Sequence, residues 1–228
     1  MDELNAASPS AWIEVPRFEW AQLLADGAPT VRLREGETLF SQGGPARHVY
    51  VVESGRVRLV LLSAAGHEKH MAIVGTHGMV GECGAFLDGR HTMTAVASSD
   101  VAARQVERGH LLRTMERDPH CMRQVLWLTS VKLRILASQN LLLSQGTAAQ
   151  RVIHHLVQLA ETYGRPAGQG TEIGIAFTHQ EMANIAGLSR VMTSNVLIAL
   201  RSEGMIDKVK AHWVILDMQG LRGRALEA

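Results

Sequence analysis

The chain has 228 residues, of which 46% are hydrophobic, and a formal net charge of +1; this length is enough for one large or two modest domains with their own cores. No apolar run approaches the roughly 20 residues that a membrane-spanning helix needs, and the acidic start lacks the features of a secretory signal, so we expect a soluble cytoplasmic protein with no membrane partner. The small net charge gives no general attraction to nucleic acid, and two cysteines are too few for a disulfide framework or an iron–sulfur cluster.

Residues from about 30 to 107 alternate short β-rich runs with glycine turns. The runs are TVRL, ETLFSQ, HVYVVE, RVRLVLLS, HEKHMAIV, TMTAVAS and VAARQVE. Many short strands at this spacing predict an antiparallel sandwich or roll. In HVYVVESGRVRLVLL, apolar residues alternate on both sides of Glu53-Ser54-Gly55, which predicts that the two runs pair as a β-hairpin.

The sequence pattern changes after this region to that of a long helix. No glycine occurs between Gly109 and Gly146, and the segment after Pro119 predicts one helix of more than twenty residues. Alternating steps of four and three connect Met122, Leu126, Thr129, Leu133, Leu136, Asn140 and Leu143. Such a seam is typical of a helix that pairs with its own copy, and a buried asparagine in it fixes the register. We therefore expect a homodimer; the alternative is that the stripe packs on the β-roll of its own chain.

The stretch from residue 178 to 206 has the spacing of a helix-turn-helix. Thr178 and Glu181 form a capping box, Gly187 stands where the turn needs a left-handed residue, and Ser189 can cap the second helix. The residues expected to hold the two helices together are Met182, Ala186, Leu188, Met192, Val196, Ile198 and Leu200. An ordinary helical hairpin carries similar caps and is the alternative interpretation.

The second helix of this motif presents residues suited to base edges. Arg190 is expected to pair with guanine, Val191 to contact a thymine methyl group and Asn195 to read adenine. The following segments, DKVKAH and WVILD, predict two strands around a polar turn, which form a wing that reaches the phosphates. The residues assigned to DNA binding are Thr178, His179, Ser189, Arg190, Val191, Ser194, Asn195, Lys208 and Lys210.

With a roll, a long helix and a winged helix in this order, the chain resembles CRP/FNR-type transcription regulators over nearly all its length. The strongest local matches are the helix-turn-helix and GECGAF, Gly81 to Phe86, which resembles the phosphate-binding cassette of that family. The resemblance implies an α+β fold with an effector-sensing β-roll at 1–117, a dimerisation helix at 118–144 and a winged helix-turn-helix at 145–228. It also implies a homodimer that binds a palindromic DNA operator under effector control, contact with RNA polymerase, and no enzymatic activity.

The cassette departs from the pattern of cyclic-AMP-binding members. Gly81 and Glu82 remain, but Thr92-Met93 stands where those members carry the Arg-Ser pair that takes the cyclic phosphate. Losing the guanidinium removes a charge-assisted contact to the anion. Arg90 lies two residues early, on a turn, and would substitute only if the loop were reshaped. The resemblance therefore implies an effector other than cyclic AMP.

The expected effector pocket is mainly apolar. Leu136 and Ala137 fall where cyclic-AMP binders carry two hydroxyl residues that read the adenine. Such a pocket suits a small hydrophobic or aromatic ligand, and the combination of this cassette with Val191 is similar to regulators that sense halogenated phenols. The residues expected around the pocket are Val80, Gly81, Glu82, Cys83, Ala85, Phe86, Arg90, Thr92, Met93, Ala95, Leu133, Leu136 and Ala137.

Other sensing chemistries stay open at this point. Carbon-monoxide sensors of the family need an axial histidine inside the cassette; Cys83 takes that position here, and a thiolate can ligate haem iron or act as a redox sensor. His67, His70 and His77 invite a metal site or a cupin-like metalloenzyme. The spacing in GHEKH does not supply alternate-residue ligands, so we assign no metal site.

Overall fold

The computed structural model describes residues 11–13, 15, 18–25, 27–66 and 68–226. The chain divides into two compact units, one formed by residues 12–134 and the other containing residues 135–228. The boundary lies inside a long helix. The separation into segments 1–117, 118–144 and 145–228 therefore stays a proposal.

The first unit contains short strands followed by helices. In chain order its elements before the long helix are β1 (Trp12–Ile13), α1 (Ala21–Leu24), β2 (Thr30–Leu33), β3 (Thr38–Phe40), β4 (His48–Ser54), β5 (Val57–Leu62), β6 (Glu68–Val74), β7 (Met79–Val80), α2 (Glu82–Phe86), β8 (Thr94–Ala97), β9 (Val101–Glu107) and α3 (Arg108–Arg117). Every β-rich run predicted between residues 30 and 107 holds a strand. The short strands β1 and β7 were not predicted, because two residues are too few to show an alternation.

These strands form two sheets. One has the order β1-β6-β5-β8-β3 and the other β2-β9-β4-β7. All pairs are antiparallel except β1 with β6, which is parallel. The buried aliphatic side chains of both sheets, among them Val49, Val57, Val74 and Ala103, form the core. The predicted antiparallel β-roll is confirmed, with one parallel edge strand added.

The predicted hairpin around Gly55 is wrong. β4 pairs with β7 and β9, whereas β5 pairs with β6 and β8, so the two strands belong to different sheets. The turn carries the chain from one sheet to the other, and Gly55 makes this possible with a φ of 81°. A Cβ atom at this position would overlap the carbonyl oxygen of Asp100. The alternation of apolar residues predicted both strands but contained no information on their partners.

The long helix α4 (Pro119–Gln145) has 27 residues and confirms the predicted helix. One face is buried and includes Cys121, Val125, Leu128 and Lys132. The predicted seam lies on the other face, where Leu133 is 67% exposed and Met122, Leu126, Leu136 and Leu143 are also exposed. Asn140 is exposed and Thr129 partly so. For Met122, Leu126 and Leu133, which belong to the same unit as the roll, this exposure does not agree with the alternative interpretation that the seam packs on the roll.

The second unit is a winged helix-turn-helix. Its elements are α5 (Ala148–Tyr163), β10 (Gly164–Ala167), β11 (Gly170–Ile173), α6 (His179–Ala186), α7 (Arg190–Ser202), β12 (Ile206–Val209), β13 (His212–Ile215) and α8 (Met218–Leu226). The strands form one antiparallel sheet in the order β10-β11-β13-β12. Both predicted wing strands are confirmed, and β10 with β11 extends them by an unpredicted hairpin.

Helices α6 and α7 have the geometry that their sequence predicts. The Thr178 capping box, the left-handed Gly187 with φ of 66° and the Ser189 cap are all present. The helices meet at 107°, within the range of helix-turn-helix motifs. Among the described residues no single helix is long and apolar enough to cross a bilayer; α6 and α7 reach that length and composition only together, as a bent pair.

The predicted contacts between α6 and α7 are only partly right. Met182 and Ala186 are buried as expected, but Met192 and Ile198 are exposed. The buried residues of α7 are Thr193, Leu197 and Leu200, spaced by four and three as one helical face requires. The predicted set mixed two faces of the helix, which leaves Ile198 on the outer face with Val191 and Asn195.

We predict that Gly55→Ala destabilises the roll by more than about 3 kcal/mol, because the methyl group adds steric overlap to the cost of a left-handed backbone. Gly36→Ala is the matched control: Gly36 also has a positive φ, of 86°, but its Cβ would meet nothing within 4 Å. We expect the control to cost about 1–2 kcal/mol. Urea denaturation measures both, and equal effects would contradict the close packing of Gly55 on Asp100.

Candidate DNA-binding surface and effector cavity

The outer face of α7 carries the residues predicted to contact bases. Arg190 and Asn195 are exposed, Val191 is 70% exposed, and Ser194 is partly exposed. Ile198 shares this face, two helical turns after Val191. The motif predicted the first four positions; Ile198 was missed because it was assigned to the core. An exposed row of one arginine, small polar groups and apolar groups is suited to base edges and thymine methyl groups in a major groove.

His179 connects the two helices of the motif to the wing. Its Nδ1 lies 2.8 Å from Ser194 Oγ, and its ring lies 5.8 Å from the Trp213 ring of β13. The ammonium group of Lys208 lies over the same indole, 5.1 Å from its centre. Burial lowers the pKa of His179, and the nearby positive charges of Lys208 and Arg190 lower it further. Three basic side chains therefore come together where α6, α7 and β12 meet.

Three of the other residues predicted to bind DNA cap a helix or form the wing turn. Thr178 Oγ1 accepts a hydrogen bond from the backbone N–H of Glu181, at 3.1 Å, and Ser189 Oγ accepts one from that of Met192, also at 3.1 Å. Lys210 is exposed in the wing turn and has a left-handed φ of 55°. These residues shape the ends of the helices and the wing turn.

The cassette begins where α2 follows a left-handed glycine. Gly81 caps α2 with a φ of 93°. A Cβ atom on Gly84 would lie 2.5 Å from the carbonyl oxygen of Arg90, so only glycine fits against this loop. Arg108 Nε donates to the Ala85 carbonyl oxygen at 2.6 Å and holds the end of α2. The predicted cassette therefore has a fixed backbone in the β-roll.

The carboxylate of Glu82 is paired with a lysine of α4 that the sequence analysis missed. Lys132 Nζ donates to Glu82 Oε1 at 2.7 Å and to the Met79 carbonyl oxygen at 2.8 Å. Glu82 is 1% exposed and Lys132 is 6% exposed, so the ion pair is buried. The signal in the sequence was a lysine on the same helical stripe as Cys121, Val125 and Leu128.

A narrow cavity of about 10 Å³, the size of roughly one water molecule, lies beside this pair. Of the predicted pocket residues, Gly81, Glu82, Cys83, Thr92 and Met93 line it. The other residues that line the cavity were not predicted. Phe40 and Leu59 come from separate parts of the chain, and Gly84 and His91 lie next to positions that match the motif. The cavity combines apolar walls with a few polar groups.

Several predicted pocket residues lie elsewhere. The Arg90 guanidinium donates to the Gly43 carbonyl oxygen at 2.8 Å on the exposed turn, and Phe86 is exposed. Leu133, Leu136 and Ala137 are on the exposed face of α4. Val80, Ala85 and Ala95 are buried but are not among the residues that line the cavity. Because Lys132 occupies the inward position of the helix, its neighbour Leu133 must face outward.

The alternative sensing chemistries find little support in this geometry. Burial raises the pKa of Cys83 to about 11, and the negative charge of Glu82 adds to that shift, so the thiol is protonated at neutral pH. Burial lowers the pKa of His70 to about 4, with smaller effects from Arg58 and Lys69. His67 lies outside the described residues. In the part of the chain that the structure describes, no three His, Cys, Asp or Glu residues are grouped to hold a metal ion.

Comparison with known proteins gives two family matches and several full-length relatives. Residues 30–118 match the cyclic nucleotide-binding domain, and residues 150–224 match the Crp-like helix-turn-helix domain. The chain is 31% identical to the nitrogen fixation regulation protein FixK of Azorhizobium caulinodans, over 89% of this chain and 81% of that protein. It is also 31% identical to the cyclic AMP receptor protein of Thermus thermophilus, over 75% of this chain and 76% of that protein.

The solved structures agree with this fold. A CooA mutant from Carboxydothermus hydrogenoformans superposes with a TM-score of 0.81, over 93% of this chain and 98% of that chain. The two sequences are 18% identical, so this likeness concerns the fold alone. These relatives are regulators of transcription and not enzymes.

We predict that Lys132→Met lowers the free energy of unfolding by about 3–5 kcal/mol, because it leaves the Glu82 carboxylate buried without its ion-pair partner. The double variant Lys132→Met/Glu82→Gln should recover most of this loss, since the buried charge is then removed. Chemical denaturation followed by circular dichroism measures the three proteins.

The matched control is the exposed pair of Arg222 and Glu161, whose nitrogen and oxygen lie 2.8 Å apart. Arg222→Met should cost about 0–1 kcal/mol, as surface ion pairs do. An equally small cost for Lys132→Met would show that Glu82 does not depend on the lysine.

Proposed function

The chain belongs to the CRP/FNR family of transcription regulators, and on that premise we propose that it acts as a homodimer whose affinity for a palindromic operator is switched by a small effector. The effector binds in the β-roll, and the winged helices bind the two half-sites. RNA polymerase is the expected protein partner and the cytoplasm the expected compartment. The effector roll, dimer helix and DNA-binding segment are assigned to residues 1–117, 118–144 and 145–228.

The observation that carries the DNA-binding proposal is the outer face of α7. Arg190, Val191, Asn195 and Ile198 are exposed together, although two of them are apolar. Exposed apolar side chains on a recognition helix can contact the methyl group of thymine, which projects into the major groove of DNA. Lys208 and Lys210 on the wing supply contacts to phosphate, which hold the helix in position.

The homodimer proposal is supported by the exposed seam of α4. A helix of 27 residues presents leucines and a methionine at steps of four and three on a face that its own chain leaves uncovered. Contact with a second copy would bury this face, and such contacts are the usual arrangement for an a/d seam. The polar seam positions Thr129 and Asn140 would then fix the register of the two helices.

The effector proposal is supported by what surrounds Glu82. Among the described residues none brings a guanidinium group to the cavity wall, because Arg90 is turned to the Gly43 carbonyl and Thr92-Met93 replaces the Arg-Ser pair. A cyclic phosphate would lack its charged partner, so cyclic AMP is not the expected effector. The names of several relatives mention cyclic AMP and that of another mentions nitrogen fixation, so together they do not fix an effector. A small, mainly apolar ligand fits the walls better.

We predict that Arg190→Ala weakens binding to the operator, once its sequence has been identified by selection from random DNA, by about 1–3 kcal/mol, because it removes a bidentate contact with guanine. The loss should be confined to one base pair in each half-site and should be visible as relaxed preference at that position. Fluorescence anisotropy with a series of operator variants measures both effects.

The matched control for Arg190 is Lys208→Ala, which removes a charge without a base contact. Binding should weaken on all sequences alike, and the slope of log affinity against log salt should fall by about one unit. Uniform weakening by Arg190→Ala would mean that Arg190 contacts only phosphate.

We predict that Leu133→Lys converts the dimer into a folded monomer, because two added charges would face each other across the seam. The exposed position of Leu133 means that the fold of the single chain should be retained. Sedimentation velocity reports the mass, and circular dichroism reports the fold.

The control substitution is Leu141→Lys, on the same helix. Leu141 is also exposed but lies outside the seam, so this variant should remain dimeric. A dimer after both substitutions would place the contact between subunits elsewhere on the roll.

A further inference from the structure

The cavity in the roll contains a polar group that the proposed function has not used. Glu82 Oε1 accepts a hydrogen bond from Lys132 Nζ, and Cys83 Sγ lies 3.4 Å from the same oxygen. The other titratable residue in the cavity wall is His91. His91 directly precedes Thr92-Met93, but it does not match either position of the Arg-Ser pair, so the motif did not predict it.

His91 is held rigidly by aromatic contacts. Its ring stacks on Phe40 with the centroids 3.7 Å apart and the planes inclined by 13°. Phe40 in turn stacks on Tyr50 at 5.8 Å. The backbone on both sides is also fixed, because the Gly43 N–H donates to the His91 carbonyl oxygen and the His91 N–H donates to that of Gly44. The imidazole is therefore pre-organised before any ligand binds.

The Nδ1 atom of His91 is buried and has no hydrogen-bond partner among the described residues. The whole side chain is 95% buried, with a relative exposure of 5%. Leaving a buried polar nitrogen unpaired costs free energy, which a ligand that supplies the missing partner recovers. A polar group of this kind beside a cavity is a ready binding determinant.

The electrostatics of the cavity favour an uncharged ligand. Lys132 neutralises Glu82, so the pair has no net charge to offer to an ion. Burial lowers the pKa of His91, and His48 lowers it further, so the imidazole is neutral at pH 7. The described residues that line the cavity offer an anion no unpaired positive charge. A cation would need the Glu82 carboxylate, which is already paired with Lys132.

We propose that His91 is the hydrogen-bonding contact for the effector, and that the effector is a small uncharged molecule with an apolar body and one hydrogen-bond donor or acceptor. This rests on the proposed effector site and names its ligand class. Phe40, Leu59 and Met93 contact the apolar body. Because the present space is only about 10 Å³, the proposal requires the unbranched, flexible Met93 to change rotamer when the ligand enters.

The test uses the full-length protein labelled with ¹⁵N-histidine, and two probes of nearly the same shape, benzamide and benzoate. Benzamide should shift the His91 Nδ1 resonance and raise the melting temperature, and benzoate at the same concentration should do neither. His91→Phe keeps a planar ring against Phe40 but removes the nitrogen, so the Kd for benzamide should rise about tenfold.

Two further variants separate the hydrogen bond from the stacking. His91→Asn keeps a polar group near the position of Nδ1 and should recover part of the affinity. His110→Gln is the control, because His110 Nε2 lies 3.1 Å from the Leu23 carbonyl oxygen and does not line the cavity, and it should bind benzamide like the wild type.

The proposal is overturned if neither probe shifts the His91 resonance, if benzoate binds as tightly as benzamide, or if His91→Phe keeps wild-type affinity. The wild-type spectrum decides the first two points even if a variant does not fold. Operator binding measured in the same samples reports on the proposed function separately, since the resonance of His91 depends on the cavity and not on DNA.

Discussion

The buried ion pair between Lys132 and Glu82 fixes how the first part of the long helix, residues 119–134, lies on the β-roll. Lys132 reaches inward to the carboxylate and to the Met79 carbonyl, so the inward face of α4 is set at that point. With 3.6 residues in each helical turn, Leu133 is rotated by about 100° from Lys132 and so lies away from the centre of the buried face. Leu133 is therefore exposed, and Met122 and Leu126 on the same side of this part of the helix are also left uncovered by the roll. The seam of the proposed dimer thus depends on one contact inside the effector cassette.

The same contact gives the proposed switch a physical basis. A ligand shifts a conformational equilibrium only by its difference in affinity for the two states. A molecule bound beside Glu82 changes the surroundings of a carboxylate whose partner is on α4, so the cost of moving the helix changes with occupancy. Buried charges respond strongly to such changes, because separating them leaves each without solvent or partner. His91 supplies affinity in this arrangement, and the ion pair supplies the connection to the helix.

The sequence predicted the parts of the structure that local physics determines. The caps at Thr178 and Ser189 and the turn at Gly187 are satisfied within a few residues, so spacing alone was sufficient. The hairpin around Gly55 failed because strand pairing depends on residues far apart in the chain. Arg190, Val191 and Asn195 lie exposed on one helix as the motif predicts, since a single short helix carries them; their contact with DNA stays a prediction. The residues that line the cavity were predicted only in part, because Phe40 and Leu59 reach it from distant segments that no single motif contains.

Selection of binding sites from a random pool of duplex DNA by the full-length protein tests most directly whether a two-fold symmetric dimer reads DNA through α7. The protein should enrich an inverted repeat whose half-sites are centred about 10 base pairs apart, or a multiple of that distance, and the same base preferences should occur in both halves. Enrichment of a single unrepeated motif, or no enrichment over the starting pool, would contradict the account.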